Sequence, residues 1–253
     1  MLKSKKHVKE HEWIETFENI EKYVTKKHID DLTRKTKDEI KQRIGRKKAA
    51  VSWSAGKDSI VLGALCSDIS NWFIALSRLE YPDFEKWLNG NSPKKLEKVY
   101  VELDLKWLSE NREMLFPNDS KILGKWYRII QHKIQREYCK KNGIEIVLLG
   151  RRKKDGNYIG KDKEYTKNGV IYYTPIAEWT HEEVFGFLHY NGCALPKIYD
   201  YPDGYKNGTH VWPSRAMKTN KIETWREIYD IDKNIVFEAK DYFEEAQKVW
   251  EEK

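Results

Sequence analysis

The apolar positions follow two different rhythms. Between residues 9 and 45, Trp13, Ile14, Phe17, Ile20 and Tyr23 recur three and four apart, the period of an amphipathic helix. That spacing predicts one or two N-terminal helices with a narrow apolar face. Short apolar runs follow: KKAAVSWS (47–54), WFIALS (72–77), EKVYVELDL (97–105), IEIVLLG (144–150) and GVIYYTPI (169–176). Each reads as a strand, and the unbroken run IEIVLLG suits a parallel strand covered on both faces. Helical patterns separate them. Asp58 to Cys66 follows the first strand. YPDFEKWL (81–88) opens with Pro at an early helical position. Residues 122–141 are amphipathic and end at Asn142-Gly143. Residues 180–192 begin with Thr180 and Glu183 in capping-box spacing. The polar, Gly- and Lys-rich stretch 149–169 reads as a mobile loop, and the tail 222–253 as helical. Alternating strands and helices predict an α/β fold: a mainly parallel sheet flanked by helices, with N- and C-terminal helical extensions. Such sheets bind ligands beyond the carboxyl ends of their strands.

Composition narrows the class. Hydrophobic residues make up 40% and charged residues 34% of the 253, a globular but polar balance. No apolar run reaches the length of a membrane span, and the start MLKSKKHVKEHEW lacks a signal-peptide core. The expectation is a soluble cytoplasmic protein without a membrane partner. A net charge of +7 favours anionic partners, although a solvated lysine surface explains charge of this size by itself. The ten Trp could include base-stacking residues, but core or edge packing is the simpler role. Cys66, Cys139 and Cys193 are far apart and form no C-x-x-C pair, so neither a structural zinc nor an iron–sulfur cluster is expected.

The chemistry concentrates in SWSAGKDS (52–59), a small-residue turn between a strand and a helix. It is no Walker A loop: Asp58 follows Gly56-Lys57, and Val51 stands where that loop's first glycine would be. Small residues still let backbone N–H groups approach an anion, and the next helix directs its positive end there. Lys57 adds a charge, and Ser54 and Ser59 add hydroxyls. Asp58 is unusual in an anion site unless it caps the helix or holds a metal. The plain alternative is a capped turn with Lys57 exposed. GRRKKDG (150–156) puts further cations at a second strand end.

Five segments carry a family resemblance. SWSAGKDS resembles the S-G-G-x-D-S signature of the PP-loop ATP pyrophosphatases, with Ala55 for the first glycine, a change that its small size makes harmless. PIAEWTHEEVFGFLHYNGCALPKIYDYPDGY (175–205), NGTHVWPSR (207–215), GRRKKDG and RLEYPDFEKWL (78–88) resemble segments of the phosphoadenosine phosphosulfate reductase family. The resemblance spans about residues 48–217. It implies an adenine nucleotide alpha-hydrolase-like, Rossmann-like domain at 47–217, between a helical extension at 1–46 and a helical segment at 218–253. It implies a nucleotide site of Ser52, Ser54, Ala55, Gly56, Lys57, Asp58, Ser59, Arg78, Gly150, Arg151, Arg152 and Arg215. Lys57, Asp58, Arg151 and His210 would act in catalysis, and Asp58 with Asp104 would position Mg²⁺. Trp179 is expected to pack the helix that starts at Thr180.

The chain departs from the family where the reductase needs its nucleophile. A sulfonucleotide reductase attacks sulfur with a C-terminal cysteine, and no cysteine follows Cys193 here. The favoured expectation is therefore an ATP-Mg²⁺ enzyme that releases pyrophosphate after attack at the α-phosphate and so activates an acceptor, conceivably a nucleic acid. Two alternatives stand beside it. One is a phosphoadenosine phosphosulfate reductase or sulfotransferase-type enzyme using a partner protein's thiol. The other is a non-catalytic nucleotide-binding subunit. The sequence leaves a homodimer open.

Overall fold

The computed structural model describes residues 2–253; Met1, the first residue of the 1–46 extension, lies outside the described residues. The strands are β1 (Ala49–Ser52), β2 (Asn71–Ser77), β3 (Leu96–Val101), β4 (Ile146–Leu149), β5 (Glu164–Lys167) and β6 (Val170–Tyr173). They form one sheet in the order β3-β2-β1-β4-β6-β5. β1 runs parallel to β2 and β4, and β4 parallel to β6; β5 pairs antiparallel with β6 at the edge. The α/β class with a mainly parallel sheet is as expected.

The helices are α1 (Glu10–Glu18), α2 (Lys26–Ile44), α3 (Lys57–Leu65), α4 (Pro82–Asn91), α5 (Leu105–Glu110), α6 (Ser120–Tyr127), α7 (Lys133–Asn142), α8 (His181–Tyr190), α9 (Gly204–Asn207), α10 (Lys221–Ile231), α11 (Lys233–Ala239) and α12 (Glu244–Glu252). None is long and apolar enough to cross a membrane among the described residues.

The chain divides into two compact units. The first comprises residues 1–74, 91–97 and 136–208; the second comprises 75–90, 98–135 and 209–253. In the first, α1, α2 and α3 pack on α8. Trp13, Ile20, Ile29, Val61, Leu62, Val184 and Phe185 are buried there beside the apolar strands. The expected capping box holds: Glu183 N–H donates to Thr180 Oγ1 at 3.1 Å, and Thr180 N–H donates to Glu183 Oε2 at 2.7 Å. Trp179 packs on Phe187 and donates its indole N–H to Thr36 Oγ1 at 3.2 Å. In the second unit, α10, α11 and α12 pack on one another, and the fully buried Trp225 meets Phe116, Trp212 and Phe243.

Three expectations change. The stretch 149–169 is not all loop: β5 forms a hairpin with β6 through Asn168 and Gly169, at φ +53° and +75°. Two positive φ values suit the primed hairpin turn that Asn-Gly favours. The helix expected over 122–141 is interrupted at Arg128–His132 by a π-helical turn. The third strand ends at Val101 rather than 105, because Asp104 starts α5 by accepting Trp107 N–H at 2.8 Å.

Close packing in the first unit turns on Gly186, where an added Cβ would fall 2.5 Å from Val24 Cγ2 and 3.1 Å from Ile29. The β-branched neighbours have few rotamers into which to retreat. Gly186→Ala is therefore expected to destabilise by about 1–3 kcal/mol, read as a lower urea midpoint at unchanged slope.

Candidate functional site

In the order β2-β1-β4, the chain leaves β1 toward one side of the sheet and β4 toward the other, so the crevice beyond their carboxyl ends is where ligands bind in such sheets. The two loops there are 53–56 after β1 and 150–152 after β4. Paired neighbours Ser52 and Leu149 bring them level. Gly150 lets them touch: an added Cβ would lie 3.1 Å from the Asp58 carbonyl and Ser59 nitrogen.

Within the first loop, Ser54 N–H donates to Ser59 Oγ at 2.7 Å and Gly56 N–H to Ser54 Oγ at 3.4 Å. Gly56 caps α3, and the Lys57 N–H donates to Tyr199 Oη at 2.8 Å. Ala55 sits at φ +56° and is fully buried. Size was the wrong measure for this position. A left-handed conformation costs a non-glycine residue about 1–2 kcal/mol, whatever room its methyl has.

Asp58 does not cap the helix. One carboxylate oxygen accepts Arg152 Nε at 2.6 Å, and the other accepts Lys57 Nζ at 2.6 Å. Arg152, fully buried, also donates to the Trp179 carbonyl at 3.2 Å and to His181 Nδ1 at 2.9 Å, and pairs with Asp155 at 3.1 Å. Lys57 is 3% exposed, and its ammonium lies 3.8 Å from Asp155. Burial alone would raise the Asp58 carboxyl; the charges of Arg152 and Lys57 outweigh it and hold the group well below the usual carboxylate range. Burial pushes His181 far down, and the same two cations add to the effect. His181 is thus a neutral imidazole whose Nδ1 accepts from Arg152, which places its proton on Nε2.

The predicted residues separate between the two units. Ser52, Ser54, Ala55, Gly56, Lys57, Asp58, Ser59, Gly150, Arg151 and Arg152 belong to the first. The adjacent arginines differ: Arg152 enters the buried cluster, whereas Arg151 donates to Tyr165 Oη at 3.2 Å. Arg78, Asp104, His210 and Arg215 belong to the second unit. Arg78 lies over the Tyr100 ring at 5.1 Å, and Arg215 is buried against Glu227 at 2.6 Å. His210 Nε2 is 2.8 Å from Tyr127 Oη. Asp104, besides capping α5, lines a cavity of about 420 Å³ with Arg78, Glu80, Glu85 and Trp212. Burial pushes the Glu80 carboxyl there up to about 8.

Sequence reasoning missed Asp155, His181 and Tyr199. Each stood inside a quoted segment, but only the fold shows which way it faces.

Asp58, as the one carboxylate at the start of α3, fits a role as a Mg²⁺ ligand, provided Lys57 turns from it to a phosphate. Among the described residues no group of three or more His, Cys, Asp or Glu is placed to hold a metal by itself. Magnesium carried on a nucleotide needs only one or two protein carboxylates.

Residues 48–207 match the model of the phosphoadenosine phosphosulfate reductase domain. Among solved structures, the phosphoadenylyl-sulfate reductase of Candida auris, a phosphate complex, is similar at TM-score 0.50 and 15% identity, covering 70% of this chain and 92% of that one. The NH3-dependent NAD synthetase of Campylobacter jejuni is similar at TM-score 0.48 and 14% identity, covering 87% and 94%. The FMN adenylyltransferase of Candida glabrata, with FAD and inorganic pyrophosphate, is similar at TM-score 0.48 and 12% identity, covering 76% and 68%. At these identities the likeness concerns the fold. A search of curated proteins gives no match.

Two outcomes follow from the cluster. Arg152→Met leaves the buried Asp58 and Asp155 with Lys57 as their one remaining close cation and is expected to cost about 3–5 kcal/mol in chemical denaturation. For His181, the unfolded state takes up a proton near pH 6.5 and the folded state does not, so stability should fall as pH drops below about 6.5. His181→Gln, measured across pH 4–8, should lose that part of the acid slope.

Proposed function

The chain belongs to the phosphoadenosine phosphosulfate reductase family, within the PP-loop ATP pyrophosphatase superfamily, and from that premise we propose that it is an ATP-using, adenylating enzyme. The loop 54–59 would hold the phosphate chain at the start of α3, where the helix end and its first-turn N–H groups favour an anion. The observation that carries this reading is the pair of buried cations, Lys57 and Arg152, meeting at Asp58 across two adjacent strand ends. An incoming phosphate oxygen would draw Lys57 from Asp58 and free one carboxylate oxygen for Mg²⁺. The bound ion would supply charge neutralisation on the phosphates.

An acceptor oxygen would attack the α-phosphorus. The bond from that phosphorus to the bridging oxygen breaks, and pyrophosphate leaves with the electron pair. Adenylate on the acceptor is then a good leaving group for an amine or sulfide. Charge building at the α-phosphate in this step is what preorganised cations stabilise, and Arg152, held by four partners, would keep its place throughout. Arg151, in the same unit, is the further candidate for that role.

The thiols support this reading over a reductase. Burial raises all three, Cys139 to about 11, so none is disposed to form the thiolate that attacks sulfur. A nucleic acid is the acceptor class that the +7 charge suits.

The test is to incubate the protein with ATP and Mg²⁺, with and without mixed nucleic acid, and to resolve AMP, pyrophosphate and ADP. AMP with pyrophosphate, lost in Lys57→Ala, is the expected result. ADP as the product, or sulfite from phosphoadenosine phosphosulfate when thiol is added, would overturn it. Nucleotide binding with no product would point to a non-catalytic subunit. For the acceptor, polynucleotide affinity should fall steeply with salt, at a slope of about −0.7 for each single-strand phosphate engaged.

A further inference from the structure

The segment between β4 and β6 carries charge that the loop cluster does not use. Residues 151–169 hold seven basic residues against three acidic ones, so this segment accounts for +4 of the chain's net +7. Part of that charge is spent inside the fold. Arg152 and Asp155 pair in the buried cluster, Lys153 pairs with Glu178, Lys163 with Glu39 at 2.7 Å, and Glu164 with Arg43. Lys154, Lys161 and Lys167 are exposed and have no ion pair among the described residues, and the segment's one exposed acid is Asp162. An excess of cations on one stretch of surface attracts a polyanion.

Aromatic rings stand on one face of the same hairpin. In the cross-strand pair Tyr165–Tyr172 the rings stack at 5.0 Å and 9°. Tyr158 lies against Tyr165 at 5.5 Å and is 70% exposed. Tyr165 Oη accepts from Arg151 at 3.2 Å. Lys167 shares the Tyr165 face, because residues two apart on a strand point the same way. Glu164 turns to the other face, where it meets Arg43 of α2. The rings thus run from the buried Tyr172 to the exposed Tyr158, with Arg151 and Lys167 beside Tyr165. The backbone that presents Tyr158 is fixed. Ile159 is buried, Lys161 bridges to Glu164, and Gly160, at φ +82°, lies so close to β5 that an added Cβ would collide with the Glu164 carbonyl. An exposed ring among cations is the platform on which single-stranded nucleic acid stacks its bases.

We propose that this face of the β5–β6 hairpin binds single-stranded nucleic acid, with a base stacked on Tyr158 and a phosphate against Lys167. Lys154 and Lys161 add charge without selecting a sequence. A duplex fits less well, because its bases already stack on one another and turn no free face to the ring. Arg151 joins the face to its neighbour Arg152 at the end of β4, so a strand bound here lies beside loop 54–59. The proposal deepens the reading of a nucleic acid as the acceptor, and its bearing on turnover rests on that reading. Binding itself is measured without ATP.

Fluorescence anisotropy of the full chain with a labelled oligothymidylate of about 12 nucleotides tests it, with the oligothymidylate–oligoadenylate duplex as the comparison probe. Wild type should bind the single strand more tightly than the duplex. Tyr158→Ala should weaken the single strand about tenfold, the loss of one stacked base, and Tyr158→Phe, which keeps the ring, should stay within about twofold of wild type. Lys167→Ala should make the fall of log affinity with log salt shallower by about 0.7, the share of one phosphate. Lys94→Ala, an exposed lysine of the same unit outside the segment, should leave that slope unchanged. Unchanged single-strand affinity in Tyr158→Ala overturns the inference and leaves a nucleic acid standing as the acceptor class. A duplex bound as tightly as the single strand also overturns it, as does a Lys94→Ala slope change equal to that of Lys167→Ala. If wild type binds neither probe, the acceptor class falls with the inference, whereas cleavage of ATP to AMP and pyrophosphate would still stand.

Discussion

The site depends on one buried carboxylate. Asp58 stands in the first turn of α3, where water cannot solvate its charge fully, and a buried charge persists only if it is paired. Lys57 supplies one partner from the same turn and Arg152 the other from 94 residues away. That second contact exists because β1 and β4 are neighbours in the sheet and Gly150 lets the two loops come within van der Waals distance. Arg152 is then held on every side, by Asp58, Asp155, His181 and the Trp179 carbonyl. The pairing ties the two strand ends, the start of α8 and the loop into one rigid arrangement. Removing either partner leaves Asp58 with a single cation to balance a buried charge, so the network has little tolerance for loss.

Much of this was legible in the chain, and most of what was not has a common cause. Strands and helices follow from short-range periodicity, and the sheet class follows from their alternation. The loop is legible because small residues, one lysine and one aspartate between a strand and a helix have few structural uses. What the sequence hides is direction. Arg151 and Arg152 are chemically identical neighbours, yet alternation at the strand end sends one into the cluster and the other to Tyr165. His181 and Tyr199 meet the loop from 29 residues beyond Arg152 and 142 residues beyond Lys57, and no local pattern records contacts of that span. The β5–β6 hairpin was different: its Asn168-Gly169 turn signal was present, but lysine and glycine around it masked the short alternation.

Ala55 shows how residue size can mislead. By volume, alanine replaces glycine with little loss, and the Ala55 side chain is indeed accommodated in the core. The constraint lies in the backbone, which takes a left-handed turn at φ +56° so that the chain can pass from β1 into α3. Surrounding structure must overcome that cost, and the Ser54–Ser59 and Lys57–Tyr199 hydrogen bonds on either side are what hold the turn.

The balance of charge also bears on chemistry. A thiol nucleophile is activated where nearby cations stabilise its thiolate. In this chain the cations gather around a carboxylate, and each thiol is shifted the opposite way by burial. A cationic, desolvated loop suits an anionic ligand whose charge grows during reaction, as it does when pyrophosphate leaves. The carboxylate is needed for the same reason that makes it unusual there. Without Asp58, Lys57 and Arg152 would keep Asp155 as their one shared carboxylate, and their mutual repulsion would rise. Asp58 thus holds the two cations in place, and on the reading proposed above a phosphate would take over one of its two contacts.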